Sequence, residues 1–305
     1  MSINVQPRKT MLMIWCLSLS ALVIAQQKTN VSPSPAAASA KTLLWKISGK
    51  YLEKPSYLFG TMHILCEEDA QLSENLKAVI RDTEQIFFEI DMDNTQEMMG
   101  ALKFLSMNDG KRISQLLSQE DYEKVKKFFD DNKSMIPFSM MDRFKPYFVS
   151  SMIGEQMMAC ESTKGMETQI MAEADKYEKE IHGLETIAFQ AGIFDSIPYE
   201  KQARDLVMYV DSIDSYKSVL KSMTDVYREQ DLEKMEKLML KSDPGMEQYM
   251  DLLLYDRNRR WIDLMLSNMV ERSTLFAVGA GHLPGNQGVI ELLRKRGYDV
   301  TPVKN

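Results

Sequence analysis

The chain has 305 residues, 44% of them hydrophobic and 27% charged, with a formal net charge of −7. That composition is globular, and the length suits one domain or a domain carrying a helical insertion. Its acidity excludes nucleic acid and anionic membranes as charge-driven partners.

The first predicted element is a leader. Arg8 and Lys9 precede an uncharged apolar run over 11–25, which ends in Val23-Ile24-Ala25 before polar Gln26-Gln27-Lys28. This is the pattern of a secretory signal peptide cut after Ala25. At about 15 residues the run falls short of the ~20 that a bilayer span needs. Cys16 follows bulky Met13-Ile14-Trp15, which argues against a lipid anchor. The expected product is periplasmic or secreted, with no stable membrane insertion after cleavage.

Residues 26–42, with Ser-Pro-Ser-Pro at 32–35, read as a flexible linker before a domain over 43–305. Strands are predicted at 43–47 and 56–59, joined as a hairpin. A helix follows over 72–83, with Leu72, Leu76, Val79 and Ile80 on one face, and then a buried strand over 86–91. The middle is helical: 116–130 with Ser118 as N-cap, 142–160, and 166–177. A strand at 179–185 precedes three long helices over 199–269, broken near Glu229 and at Asp243-Pro244-Gly245. A strand over 274–278, a helix over 287–296 and a strand over 298–303 close the chain. The predicted class is α/β (mixed α+β), a central sheet of N- and C-terminal strands around a large helical middle section.

The chemistry gathers at strand ends. Of three histidines, two close a Gly-x-x-His: Gly60-Thr61-Met62-His63 and Gly279-Ala280-Gly281-His282. Glycine fills 14 of 305 positions. Chance gives two such motifs about 0.6% of the time, so the repeat points to shared use. Both follow an apolar strand, where glycine allows a sharp turn and the close approach of a ligand. The ends of strands are where open α/β sheets build sites. Two imidazoles placed this way suggest one metal; two capped strand ends with solvent-facing histidines are the alternative.

Glu89 lies within Phe87-Phe88-Glu89-Ile90, where a carboxylate is costly unless paired or metal-bound. It completes a two-His, one-carboxylate set with open positions for water and substrate; Asp91 is a substitute. Glu185, in Gly183-Leu184-Glu185-Thr186, is a second ligand, a general base, or a group placed for the helix dipole. Arg257 is a candidate to stabilise an oxyanion, or else part of a salt-bridging face. His182 has no partner motif and reads as structural. Cys66 and Cys160 pair as a disulfide in an oxidising compartment or stay as separate buried thiols. The 24 methionines read as core filler, and Asn30 and Asn132 sit in glycosylation sequons.

Together these blocks resemble the TraB/GumN family, whose animal branch includes the Tiki metalloproteases. The likeness rests on Trp45-Lys46-Ile47, Tyr57-Leu58-Phe59-Gly60-Thr61-Met62-His63, Phe88-Glu89, Gly183-Leu184-Glu185-Thr186 and Arg257-Asn258. It continues through the run from Phe276 to Gly285 and Gly297-Tyr298. The resemblance implies a mixed α/β fold related to erythromycin esterase and ChaN-like proteins, with divalent-metal-dependent hydrolysis. By position it implies His63, His282 and Glu89 as metal residues and Glu185 and Arg257 as supporting ones. Where the family often has Gly-x-Asp, this chain has Gly165-Met166-Glu167, so Glu167 is not carried over.

The expected function is an extracytoplasmic hydrolase, foremost a peptidase, holding Mn, Co or Zn. Its substrate would be a peptide or small molecule of the envelope or medium. The competing expectation is a non-catalytic protein that sequesters a peptide signal, haem or metal.

Overall fold

A computed structural model describes residues 40–305 apart from 133, 135, 159 and 243–248. The expected signal peptide and nearly all of the linker, along with the break at 243–245, lie outside the described residues. Among these residues no helix is long and apolar enough to cross a membrane.

The described residues form eight strands: β1 Leu44–Ser48, β2 Ser56–Thr61, β3 Leu65–Cys66, β4 Gln85–Ile90, β5 Thr163–Lys164, β6 Glu180–Glu185, β7 Thr274–Gly279 and β8 Asp299–Val303. Six of them build the central sheet in the order β6-β4-β7-β2-β1-β8. The run β6-β4-β7-β2 is parallel, whereas β1 pairs antiparallel with both β2 and β8. The apolar strands β4 and β7 are buried along nearly their whole length, as parallel strands covered on both faces must be. The fold is thus mixed α/β, with helices filling the space between the terminal strands.

One consequence of the strand order matters most. The last long parallel strand in sequence, β7, inserts between β2 and β4. The segments following β2 and β7 therefore leave the sheet side by side, next to the end of β4, and β6 ends in the same direction beyond it.

The helical middle carries a second apolar cluster, centred on Val125, Phe129, Phe138, Met141, Ile153 and Leu206, apart from the sheet core. Several boundaries differ from expectation. The helix expected over 142–160 is confined to Pro146–Gln156, because Pro146 opens it at a position that needs no N–H donor. The long helices after 199 break once more at Ser212, giving Tyr199–Asp211 and Ile213–Arg228 before Leu232–Ser242 and Asp256–Glu271. Ser212 adopts a non-helical backbone there and its carbonyl caps the next turn by accepting from Ser215 and Tyr216. Ser118 caps Gln119–Asp131 as its residue type predicts, accepting from the Asp121 N–H.

Cys66 and Cys160 are joined by a disulfide, with Cα atoms 5.8 Å apart across a separation of 94 residues. The bond backs up the small ribbon β3–β5, in which Leu65 pairs with Lys164 and Cys66 with Thr163. Glu67 N–H extends the ribbon by donating to Ser162 O at 3.1 Å. Closing so long a loop removes unfolded-state entropy worth about 4–5 kcal/mol. Cys160→Ser is therefore expected to lower the melting temperature by roughly 10 °C for a chain of this size. Reductant should produce the same loss in the parent and none in the variant; equal melting of oxidised parent and variant would refute the stabilising role.

Candidate functional site

Four parallel strand ends and one helix meet at the site. His63 follows β2, Glu89 sits near the end of β4, Glu185 ends β6, and His282 lies in the 3-10 turn Ala280–His282 after β7. The helix Asp256–Glu271 lays Arg257, Asn258 and Trp261, all buried, across these ends. A π-helical turn, Asp251–Tyr255, leads into it; such turns alter helix phase and cluster at functional sites. All five residues expected from sequence are thus brought into one neighbourhood.

Gly279 forms its floor. A Cβ there would stand 3.0 Å from Glu89 Oε1, 3.6 Å from His282 Cδ2 and 3.9 Å from His63 Nε2. One methyl-sized volume therefore touches all three expected metal residues, and only glycine leaves it open. The Gly279 N–H also donates to Glu89 Oε1 at 2.8 Å.

The hydrogen bonds fix the His282 ring. Asn258 Nδ2 donates to the carbonyls of His282 and Gln287, so its Oδ1 is turned to His282 Nδ1, 2.6 Å away. Nδ1 must then carry the proton, which leaves Nε2 as a lone pair. That nitrogen lies 3.2 Å from Arg257 Nη1 and 3.7 Å from Glu89 Oε1. The indole of Trp261 packs on the ring with centroids 4.4 Å apart.

Arg257 holds the two carboxylates. Its Nη2 donates to both Glu89 Oε2 and Glu185 Oε1, and its Nε to Glu185 Oε1 at 2.9 Å. Nη1 serves Leu253 O at 3.0 Å as well as His282. These five contacts match the five N–H donors of a guanidinium. Glu185 gains a further donor from Trp261 Nε1 at 3.1 Å, and Glu89 one from Gln190 Nε2 at 3.0 Å. His63 differs: its side chain is 65% exposed, with Nδ1 2.8 Å from Glu167 Oε1.

This packing separates the acid strengths. Burial pushes the Glu89 carboxyl up, but the neighbouring His282, Arg257 and His63 charges outweigh it and bring it to about 2. Burial drives His282 down to about 4, so it is neutral near pH 7, and the ionisation of Glu89 there rests chiefly on Arg257 and His63. Burial raises Glu185 against the opposing pull of Arg257. Pairing with Glu167 raises His63 to about 9.

Other expected candidates fall elsewhere. Asp91 Oδ1 accepts from the Asp93 and Asn94 N–H groups at 3.1 Å and so caps its own turn. His182 lies against Phe87 with the rings tilted by 40°, and stands 3.6 Å from Glu180. Asn258, Trp261 and Gln190 belong to the site without having been singled out as working residues. Asn258 had a signal in the Arg257-Asn258 block of the resemblance, and Trp261 only in its spacing, four places after Arg257 on the same helical face.

The side chains suit a divalent metal in kind. Two imidazoles turn Nε2 toward a glycine-floored space beside an ionised carboxylate, each with Nδ1 against an oxygen, the second-sphere arrangement that metal-binding histidines use. As they stand, among the described residues no group of three or more His, Cys, Asp or Glu side chains is placed to hold a metal ion. Arg257 instead engages His282 Nε2 and Glu89.

Removing Arg257 would leave two buried carboxylates without a counter-charge. Arg257→Met is expected to cost about 3–5 kcal/mol, read as a shifted denaturant midpoint. Arg257→Lys should recover little of it, since one ammonium cannot reproduce the fork. A lysine variant as stable as the parent would contradict this account.

Comparison with known proteins places the arrangement in context. The chain is 24% identical to a "Metalloprotease TIKI homolog" of Nematostella vectensis, over 82% of this chain and 65% of that protein. It is 21% identical to "Metalloprotease TIKI1" of Xenopus tropicalis, over 95% and 69% of the two chains. To "Metalloprotease TIKI2" of Danio rerio it is 22% identical, over 85% and 60%. It therefore spans about two thirds of the length of these relatives. No solved structure matches it. The match to the TraB/PrgY/gumN family runs over residues 43–302, from the strand before the first Gly-x-x-His to the strand after the second, and the chain belongs to that family.

Proposed function

We propose that this chain is a metal-dependent hydrolase of peptide bonds that works outside the cytoplasm. The observation that carries the reading is the convergence of His63 Nε2, His282 and Glu89 on the space above Gly279. The relatives named as metalloproteases support it. The leader-like sequence expected over 1–25 and the Cys66–Cys160 disulfide, a bond that persists in oxidising compartments, support the location.

In this reading His63, His282 and Glu89 hold Mn, Co or Zn. A metal held there would supply Lewis acidity toward water and a peptide carbonyl. The protein's own groups do the rest. Asn258 keeps the His282 lone pair aimed into the site. With Glu89 given to the metal, Glu185, whose carboxyl is raised by burial, takes up the proton of the attacking water and passes it to the leaving amine. Arg257 keeps both carboxylates in place, and its positive charge favours the tetrahedral anion through the local field rather than through a free N–H. Substrates would be peptides or small molecules of the envelope or medium.

The closed pairing of Arg257 with Glu89, Glu185 and His282 favours a second reading, a sequestering protein without turnover for a peptide signal, haem or metal. A peptide-library digest with Mn²⁺, Co²⁺ or Zn²⁺ against a chelator control separates the two. The hydrolase reading expects metal-dependent cleavage, reduced ~10²–10⁴-fold by Glu89→Gln, with normal folding by circular dichroism. Absence of metal-dependent cleavage from every peptide would leave the sequestering reading.

A further inference from the structure

We propose that Glu167 is a positioning residue that fixes which nitrogen of His63 faces the site. Its consequence for catalysis rests on the hydrolase reading above; the ring orientation itself does not.

Glu167 lies in the first turn of the helix Met166–Ala174 and is 6% exposed, on a helix that also buries Met166 and Ile170. A carboxylate in such a place is costly unless something uses it. Its Oε1 is one of the buried side-chain atoms that lack an aligned hydrogen bond among the described residues. The nitrogen standing 2.8 Å from it is His63 Nδ1, near enough to bond but off line. Site hydrogen bonds are often misaligned before a ligand arrives and tighten afterwards. The unmet acceptor and the ring are thus matched in place and in kind.

The backbone is built to keep them together. Met166 N–H donates to Met62 O at 3.1 Å, directly beside the histidine. On the other side the ribbon β3–β5 and the disulfide tie the residues after His63 to those before Gly165. Gly165 lets the strands close, because a Cβ there would fall 2.7 Å from His63 O. Segment 163–167 therefore has little freedom relative to segment 62–67.

His282 supplies the internal comparison. Its Nδ1 meets Asn258 Oδ1, an oxygen from the first turn of a helix, and its Nε2 turns toward Glu89. His63 repeats this with an oxygen from the first turn of another helix, and its Nε2 turns toward Gly279. Two histidines from opposite ends of the chain are thus anchored in the same way.

The test uses the full chain with ¹⁵N-labelled histidine, recorded at alkaline pH where the ring is neutral, the His63 signals assigned by comparison with His63→Gln. The parent is expected to hold His63 as the Nδ1–H tautomer. Glu167→Leu should return it to the Nε2–H form preferred by a free imidazole, with His282 unchanged. Glu167→Gln, which keeps an acceptor oxygen, should retain the parent tautomer. Zn²⁺ affinity by calorimetry should fall 10–100-fold in Glu167→Leu and stay within a few-fold of the parent in Glu167→Gln. A parent ring already in the Nε2–H form overturns the proposal, even if the leucine variant does not fold. So does a leucine variant with the parent's tautomer. A parent that binds no Zn²⁺ but shows the expected tautomers counts against the hydrolase reading and leaves the positioning role standing.

Discussion

The site depends on one buried guanidinium. Glu89 and Glu185 end neighbouring parallel strands, so the sheet brings two carboxylates into the same poorly solvated place. Like charges so placed cannot both stay ionised without a counter-charge between them. Arg257 provides it, and its own burial, 7% exposed, makes the attraction stronger than at a surface. The pairing dictates more than charge balance. It holds the helix Asp256–Glu271 across the ends of β4 and β6, and Asn258 and Trp261 arrive with it. The orientation of His282 is therefore a by-product of neutralising two acids, and electrostatics and ligand geometry form one problem here.

Much of this was legible in the residues. The strands at both chain ends, the buried strand around Glu89, and the turns carrying His63 and His282 follow from apolar runs stopped by glycine, a local signal. The costly glutamate inside Phe87-Phe88-Glu89-Ile90 announced a partner by its expense alone. What stayed hidden was set by distant chain segments. That β7 enters between β2 and β4 is a matter of topology, and no local pattern encodes it. Asn258 is chemically ordinary until its amide is seen pinned by two carbonyls. Glu167 lies in the first turn of its helix, where a carboxylate suits the dipole; only its burial and the nearby ring give it a second task. Arg257 fits both an oxyanion stabiliser and a salt-bridging face from sequence alone, and the side chain bridges Glu89 and Glu185 with each of its N–H groups engaged within the protein.

The helical middle follows a different logic. It owns an apolar cluster separate from the sheet core, and it joins the site through Gln190 and through the disulfide-backed ribbon. The ribbon lies where the middle section would otherwise be free to drift from the turn bearing His63. A covalent link there restrains one loop of the site without spending any residue of the sheet. The Cys66–Cys160 bond is for this reason more than a general stabiliser: it acts on the element with the most exposed of the two imidazoles.

A site assembled from residues 63, 89, 185, 257 and 282 places a demand on the whole chain. Each residue is delivered by a different secondary element, and none has its position without the strand order that seats β7 between its neighbours. No short fragment can carry such a site, because the first histidine and the second meet only after the sheet has closed. This accounts for a family match running nearly from end to end, over residues 43–302, alongside pairwise identities of only 21–24%. Identity that low leaves most helix surfaces and core packings open to exchange, since volume-conserving apolar swaps cost little. The strand ends and the guanidinium between them are less forgiving. There a lost partner leaves a buried charge, and a side chain added at Gly279 fills the space the histidines share.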